Sequence, residues 1–186
     1  QNMALNSYAT PEGLEIGRAQ AVQAEAAGVP CHTDMNPLLL KPSSEHTSQV
    51  VLLGKPIGDR NAYEYFRKEG REELRKVVNE SYDRLATRYN PIVMEGAGSI
   101  SEINLRDVDL VNMPMAKHAG ADVFLVADID RGGVFASVYG SILLQTPEER
   151  SLIKGIIINK FRGDIRLFES GIKMIEDLCK VPVLGV

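Results

Sequence analysis

The sequence predicts an α/β fold in which a parallel sheet is flanked by helices. Three short apolar runs carry that prediction, at residues 91–94, 122–127 and 155–158, and each leads into polar residues and glycine. Their hydrophobicity is continuous rather than alternating, which is typical of strands buried on both faces of a parallel sheet. Helical patterns separate the runs, and a strand–helix alternation of this kind forms right-handed crossovers.

The helices are predicted from apolar residues at helical spacing. They comprise residues 14–27, 72–89, 109–118, 134–144 and 165–178. Pro114 fits badly inside a helix, so we expect a kink or a late start there.

The remaining segments are less regular. Residues 36–48 are rich in Pro, Ser and Thr and predict a loop, whereas residues 49–53 predict an edge strand that ends in a turn. A fourth apolar run, residues 181–184, fits another short strand.

Length and composition limit the class of protein. The chain has 186 residues, of which 44% are hydrophobic, and this is enough for one domain with a sizeable core. A net charge of −4 argues against nucleic acid as a partner. No apolar run approaches the ~18 residues of a membrane span, and the N-terminus lacks the pattern of a signal peptide. Cys31 and Cys179 stand far apart, which favours reduced cytosolic thiols.

Polar residues follow the predicted strands, where ligands bind in parallel α/β sheets. Glu95 precedes a Gly-Ala-Gly turn, and an acid there can hold Mg²⁺ together with phosphate oxygens. The alternative is a solvent-exposed acid on a tight turn. His32, His46 and His118 have no partner at metal-ligand spacing and are interpreted as surface or packing residues.

Two further strand ends leave alternatives open. Asp128, Asp130 and Arg131 precede a predicted helix, so Arg131 can grip a carboxylate or phosphate; alternatively, the aspartates cap the helix and pair with Arg131. Asn159 can read the edge of a purine, or it can simply close the strand as a turn residue.

One motif is missing. The sequence has no Gly-x-x-x-x-Gly-Lys-Ser/Thr, since Gly54-Lys55 runs into Pro56. A sheet with signals for Mg²⁺ and a purine but no phosphate-binding loop is incomplete as a nucleotide enzyme. The chain starts abruptly at Gln1, so we expect the first strand and the loop to lie upstream. The signatures of α/β-hydrolases and of dinucleotide-binding folds are also absent from the sequence.

Six segments, taken together, resemble cobyric acid synthases. They are QNMALNS (1–7), EIGRAQAVQAEAAG (15–28), MNPLLLKP (35–42), EGAGSISEINLRDVDLVNM (95–113), VADIDRGGVFAS (126–137) and IINKFRGD (157–164). The resemblance implies a P-loop NTPase fold of the dethiobiotin synthetase type without its N-terminal strand and P-loop. Residues 1–186 would form a single truncated synthetase domain. Ile100-Ser101 and Pro114 depart from the family pattern, which puts only local loop shape in doubt.

The resemblance also implies roles for individual residues. Glu95 would be the Mg²⁺ ligand, and Asn159 with Lys160 would contact the adenine of ATP. Gln1, Asn2 and Asn6 would face the metal and substrate, and Lys41 is a weaker candidate for an anionic group. Catalytic roles would fall to Asp109, Asn104 and Arg106, near the substrate carboxylate and γ-phosphate, and to Asp128, Asp130 and Arg131, holding corrin or phosphate.

The family reaction is the ATP- and glutamine-dependent amidation of corrin carboxylates in cobalamin biosynthesis. It converts adenosylcobyrinic acid a,c-diamide to cobyric acid through acyl phosphates that ammonia displaces. A C-terminal glutaminase domain, absent here, would supply the ammonia. The resemblance therefore implies a cytoplasmic carbon–nitrogen ligase whose 186-residue piece is itself inactive. Unpaired strand edges would favour a homodimer.

Two alternatives stay open. One is a related amidase such as cobyrinic acid a,c-diamide synthase. The other is a non-catalytic P-loop-like protein of the partitioning or regulatory kind, against which the density of strand-end polar residues argues.

Overall fold

The computed structural model describes residues 1–44, 47–61 and 70–186, without the side chains of residues 60 and 61. Two compact units are distinguished. Unit 1 comprises residues 1–97 and 105–111, and unit 2 comprises residues 98–104 and 112–186. Within these residues, no helix is both long and apolar enough to cross a membrane. His46 lies outside the described residues.

A four-stranded mixed sheet forms the centre of unit 1. Its strands, in order across the sheet, are β1 (Asn2–Met3), β4 (Leu38–Pro42), β5 (Thr47–Leu52) and β6 (Lys55–Asn61). β1 runs parallel to β4, whereas β4, β5 and β6 pair antiparallel. Three consecutive leucines of β4, residues 38–40, are buried, so both faces of this strand contribute to the core.

A hairpin and two helices complete unit 1. β2 (Ser7–Ala9) pairs antiparallel with β3 (Glu15–Gly17), which leads directly into α1 (Arg18–Ala26). The helix predicted over residues 14–27 therefore begins later than expected, because residues 15–17 pair with β2 instead. The helix predicted over residues 72–89 is confirmed by α2 (Arg71–Ala86).

The prediction of a loop over residues 36–48 is wrong, because β4 occupies its centre. Pro37, Pro42 and the serines suggested a loop, but the apolar run between them pairs with a strand on each side. Residues 49–53 are also wrongly predicted as an edge strand: β5 lies between β4 and β6. The turn after it is confirmed, with Leu53 and Gly54 both at positive φ as in tight hairpins.

The predicted strand at residues 91–94 is not formed. Residues 92–97 have no regular secondary structure, and Val93 is 93% exposed. A strand requires a hydrogen-bonded neighbour as well as an apolar sequence, and none of the described strands pairs with this segment. Glu95 therefore lies in an irregular segment rather than at a strand end.

Unit 2 confirms the α/β prediction of a parallel sheet with flanking helices. The expected burial of its strands on both faces is wrong for residues 123–128, where Phe124 and Val126 are 50% and 59% exposed. β7 (Val123–Asp128), β8 (Ile153–Asn159) and β9 (Val183–Gly185) form a parallel sheet in that order. α4 (Val134–Leu143) and α6 (Glu169–Cys179) pack against it. The shared core comprises Ala127, Val134, Val138, Ile142, Ile153, Ile156, Ile158, Ile175 and Val181.

Two short helices connect these elements. α3 (Met113–Ala119) starts late, as predicted, because Pro114 occupies its first turn, where a missing N–H costs nothing. α5 (Pro147–Leu152) was not predicted, although Thr146 and Glu149 form a capping box in which each side chain bonds the other's backbone N–H. The helix predicted over residues 165–178 is divided into a 3₁₀ turn (Ile165–Leu167) and α6.

Candidate functional site

The carboxyl ends of β7 and β8 lie side by side in unit 2. Asp128 and Asn159 are partners in the strand register, and the backbone N–H of Ile129 donates to the carbonyl of Asn159 at 3.1 Å. Parallel pairing therefore brings the polar residues after both strands to one edge of the sheet, as ligand sites of this architecture require.

Asp128 is the centre of this strand-end cluster. Its Oδ2 accepts a hydrogen bond from Nζ of Lys160 at 2.7 Å, and its Oδ1 accepts from the backbone N–H of Asp130 at 3.0 Å. The hydrogen bond from Lys160 is the main cause that holds the pKa of Asp128 below its ordinary value. The carboxylate thus stays ionised and holds the ammonium group of Lys160 at the carboxyl ends of β7 and β8.

Two arginines extend the cluster. Nε of Arg131 lies 3.7 Å from Oδ2 of Asp128, and Nε of Arg162 lies 3.5 Å from Oδ1 of Asp130. Both arginine side chains are at least 80% exposed, so their pairing with the aspartates leaves most of their N–H donors open to solvent. The cluster therefore presents cationic donors that an anion can reach.

The helix after β7 is not capped by the aspartates. The N-cap of α4 is Gly133, and no side chain bonds the first turn. The alternative interpretation is thus wrong in its capping part, whereas its pairing of Arg131 with an aspartate is confirmed. Gly132 and Gly133 both have positive φ, which lets the chain turn sharply between the cluster and α4.

Asn159 and Lys160 form a tight turn. Oδ1 of Asn159 accepts a hydrogen bond from the backbone N–H of Lys160 at 2.9 Å, and Lys160 has φ +62°. A non-glycine residue in this left-handed region is uncommon and points to a constraint. Nδ2 of Asn159 bonds to none of the described residues, so the side chain closes the turn while its donor stays available.

Aromatic packing behind this turn was not predicted. The ring centroids of Phe161 and Phe168 lie 5.5 Å apart, and the edge of Phe135 contacts Phe168 at 6.2 Å between centroids. Such pairs stabilise local structure. Phenylalanines scattered over three segments carry no periodic signal, so only the fold brings them together.

Glu95 is exposed in unit 1. Its Oε2 accepts a hydrogen bond from Nε2 of Gln23 at 3.0 Å. The described residues include no group of three His, Cys, Asp or Glu that could hold a metal. A single carboxylate still fits Mg²⁺, which takes one or two protein carboxylates and completes its shell with water and phosphate oxygens.

Gln1, Asn2 and Asn6 lie in unit 1, where the amide of Asn2 is hydrogen-bonded. Asn2 donates from Nδ2 to Oε1 of Gln20 at 2.9 Å and accepts from the N–H of Met3 at 2.8 Å. Asn6 accepts at its backbone carbonyl from the N–H of Arg18, and its side chain is exposed. Gln1 is half-buried beside β1. Lys41 is paired with Glu15 at 2.6 Å.

Asp109 and Arg106 belong to unit 1, whereas Asn104 belongs to unit 2. Arg106 lies in the last turn of a 3₁₀ helix (Ile103–Val108), and Oδ1 of Asp109 accepts from the N–H of Val111 at 2.8 Å. A residue that the sequence did not single out, Arg75 of α2, donates to the carbonyls of Asp107 and Asp109 at 3.4 and 3.2 Å. It thereby holds this loop against α2.

Comparisons with known proteins agree with the motifs. The family described as an AAA domain matches residues 32–186. Over all 186 residues the chain is 86% identical to the cobyric acid synthase of Bacteroides fragilis and 85% identical to that of Phocaeicola vulgatus. It is 63% identical to that of Parabacteroides distasonis. The chain spans 38% of the length of each of these relatives. No solved structure matched.

Proposed function

The chain belongs to the AAA domain family, and on that premise we propose that it is part of an ATP- and glutamine-dependent amidase that converts adenosylcobyrinic acid a,c-diamide to cobyric acid. The observation that carries the proposal is the match of all 186 residues of the chain, at 86% identity, to part of the cobyric acid synthase of Bacteroides fragilis. The six motif segments lie along the whole of this match.

The overall chemistry sets what the residues must do. A corrin carboxylate, ATP and ammonia give a carboxamide, ADP and phosphate. Charge gathers on the phosphoryl oxygens during transfer, so positioning and charge neutralisation carry most of the catalysis. Groups that can neutralise this charge are therefore the first candidates for catalysis.

In this proposal the strand-end cluster of unit 2 binds anionic groups of ATP or of the corrin. Arg131 and Arg162 turn exposed guanidinium donors outward, and Asp128 fixes the ammonium of Lys160 at 2.7 Å. Asp130 aligns Arg162. Nδ2 of Asn159, which bonds to none of the described residues, would donate to an acceptor nitrogen of adenine.

In unit 1, Glu95 would hold Mg²⁺, with Gln23 orienting its carboxylate. The ion supplies positive charge next to phosphate oxygens when it is bound. Asp109 and Arg106 would position the substrate carboxylate, and Gln1, Asn2 and Asn6 of the same unit would face the metal and substrate. Ammonia from a glutaminase domain, a cytoplasmic location and a homodimer belong to this proposal as implications of the family.

The experiment uses the longest natural protein that carries this sequence. It is incubated with cobyrinic acid a,c-diamide, ATP, Mg²⁺ and ammonia, and the product mass is followed. We expect stepwise conversion of carboxylates to carboxamides, lost in Glu95→Gln but retained in Glu80→Gln, an exposed acid on α2. ATP hydrolysis without any corrin conversion would contradict the proposal.

The 186-residue chain alone gives a second test. It contains no Gly-x-x-x-x-Gly-Lys-Ser/Thr loop, so we expect it to show no ATP-dependent turnover. Turnover by the purified chain would mean that other residues supply the phosphate contacts.

A further inference from the structure

A groove of about 420 Å³ in unit 1 is not explained by the proposed phosphate chemistry. One wall is α1, and the others are the segment that starts at Tyr8 and the turn that ends at Cys31. Its volume falls in the range of small-molecule sites.

The wall formed by α1 has a chemical pattern. Arg18, Ala21, Val22 and Glu25 line the groove, and their spacing of three, four and seven residues places them on one face of the helix. At 1.5 Å per residue, the two charged residues start about 10 Å apart along the axis. The groove thus has a cation at one end, an acid at the other and a small apolar floor between them.

Arg18 is fixed in place without losing its donors. Its guanidinium lies over the ring of Tyr8, with the central carbon 5.0 Å from the ring centroid. This stacking leaves the N–H edge of the guanidinium open, because it uses only the face of the group. Among the described residues, no carboxylate pairs with Arg18, and no cation pairs with Glu25.

We propose that this groove binds one edge of the corrin substrate and recognises its mixture of carboxylates and carboxamides. Arg18 binds a side-chain carboxylate through two parallel hydrogen bonds, and Glu25 accepts from the N–H₂ of a carboxamide. Ala21 and Val22 contact the apolar rim between these groups. The inference rests on the proposed function and assigns it a substrate subsite.

The charges of Arg18 and Glu25 determine which pattern of carboxylates and carboxamides the groove accepts. A ligand with a carboxylate at both positions would place one next to Glu25, where like charges repel. A ligand with no carboxylate would leave Arg18 without its anionic partner. A partly amidated polycarboxylate satisfies both ends, and cobyrinic acid a,c-diamide belongs to that class.

The first test measures the Kd of cobyrinic acid a,c-diamide for the longest natural protein with this sequence, by absorbance titration of the coloured corrin. We expect Arg18→Met to raise the Kd about tenfold, in line with the loss of charge-assisted hydrogen bonds. Arg18→Lys should give a smaller rise, because it keeps the charge but loses the paired geometry. Arg88→Met, an exposed arginine on another surface of unit 1, is the matched control and should leave the Kd unchanged.

A second ligand separates recognition from damage to the fold. For a corrin in which every carboxylate has been converted to a carboxamide, Arg18→Met should change the Kd by less than about twofold, because no anion contacts the guanidinium. Glu25→Gln should improve binding of fully unamidated cobyrinic acid several-fold by removing the repulsion. ATP binding should be unaffected in both variants.

The outcomes are distinct. An unchanged Kd in Arg18→Met, or an equal rise for the neutral corrin, overturns the groove assignment while corrin conversion by the wild type still supports the proposed function. A wild-type protein that binds no corrin contradicts the proposed function itself.

Discussion

Unit 1 and unit 2 hold their polar residues in different ways. In unit 2, charged side chains follow two parallel strands and meet at one edge, with Lys160 and Asp128 in direct contact. In unit 1, polar side chains mostly secure the backbone or one another, as Asn2 bonds Gln20 and Arg84 bonds Asp34. The difference teaches that parallel pairing brings the polar residues after neighbouring strands together, because the carboxyl ends of those strands meet at one edge of the sheet.

The largest effect is expected where unit 1 buries a charge. Asp34 is 2% exposed and receives Arg84 Nη2 at 2.6 Å. Arg84→Met should lower the free energy of unfolding by about 3 kcal/mol, because it removes the arginine that pairs with a buried carboxylate. Urea denaturation measures this loss, and Arg88→Met serves as the control. A loss below about 1 kcal/mol would mean that water reaches Asp34 and that the pair is not structural.

Two glycines test how tightly each unit packs. A Cβ on Gly54 would lie 2.6 Å from Cβ of Leu14, at φ +80°, whereas a Cβ on Gly155 would meet the tip of Leu184 at 2.3 Å. Leu184 is an exposed, flexible side chain and can move away. We therefore expect Gly54→Ala to cost about 2 kcal/mol and Gly155→Ala about 1 kcal/mol or less.

Thermal and urea unfolding of both glycine variants measure whether Gly54→Ala loses more stability than Gly155→Ala. The reverse order would show that the sheet of unit 2 is the more tightly constrained region.

These contrasts explain how much of the fold could be predicted from the sequence. Ile156 and Ile158 belong to the continuously apolar run at residues 155–158 that predicted β8, and the parallel neighbours of β8 were predicted from the same pattern. The pairing partners of residues 38–42 could not be predicted, because prolines and serines around Leu38–Leu40 resemble a loop and antiparallel register depends on distant segments. The prediction of a strand at residues 91–94 was wrong for the opposite reason. This segment is apolar, but none of the described strands pairs with it.

The sequence predicted which residues belong to the candidate site, but it did not predict the contacts that these residues make. Asp128 and Asn159 were predicted at strand ends, and the register brings them together. The left-handed turn at Lys160 and the aromatic pair of Phe161 and Phe168 depend on tertiary packing, which no local pattern encodes. Arg75 and Arg18 were not singled out from the sequence, because each lies within a predicted helix and belongs to no motif of catalytic or binding residues.

The smallest effect concerns pH. Lys160 depresses the pKa of Asp128, so the stability from this contact is present above the unfolded pKa of about 3.8 and is lost as pH falls through the lower folded value. NMR titration of the Asp128 carboxyl should give a midpoint below 3.8, and Lys160→Ala should raise it. An unchanged midpoint in the variant would mean that the ion pair does not persist in solution.

The most direct measurement is the rate of ATP-dependent amidation of cobyrinic acid a,c-diamide by the longest natural protein that carries this sequence. We expect Asp128→Asn and Lys160→Met each to lower this rate at least tenfold, because they disrupt the charged strand ends. Arg166→Met, which breaks the nearby pair of Arg166 and Asp164, should leave it within about twofold. If all three variants kept the amidation rate of the wild type, the carboxyl ends of β7 and β8 would not form the site.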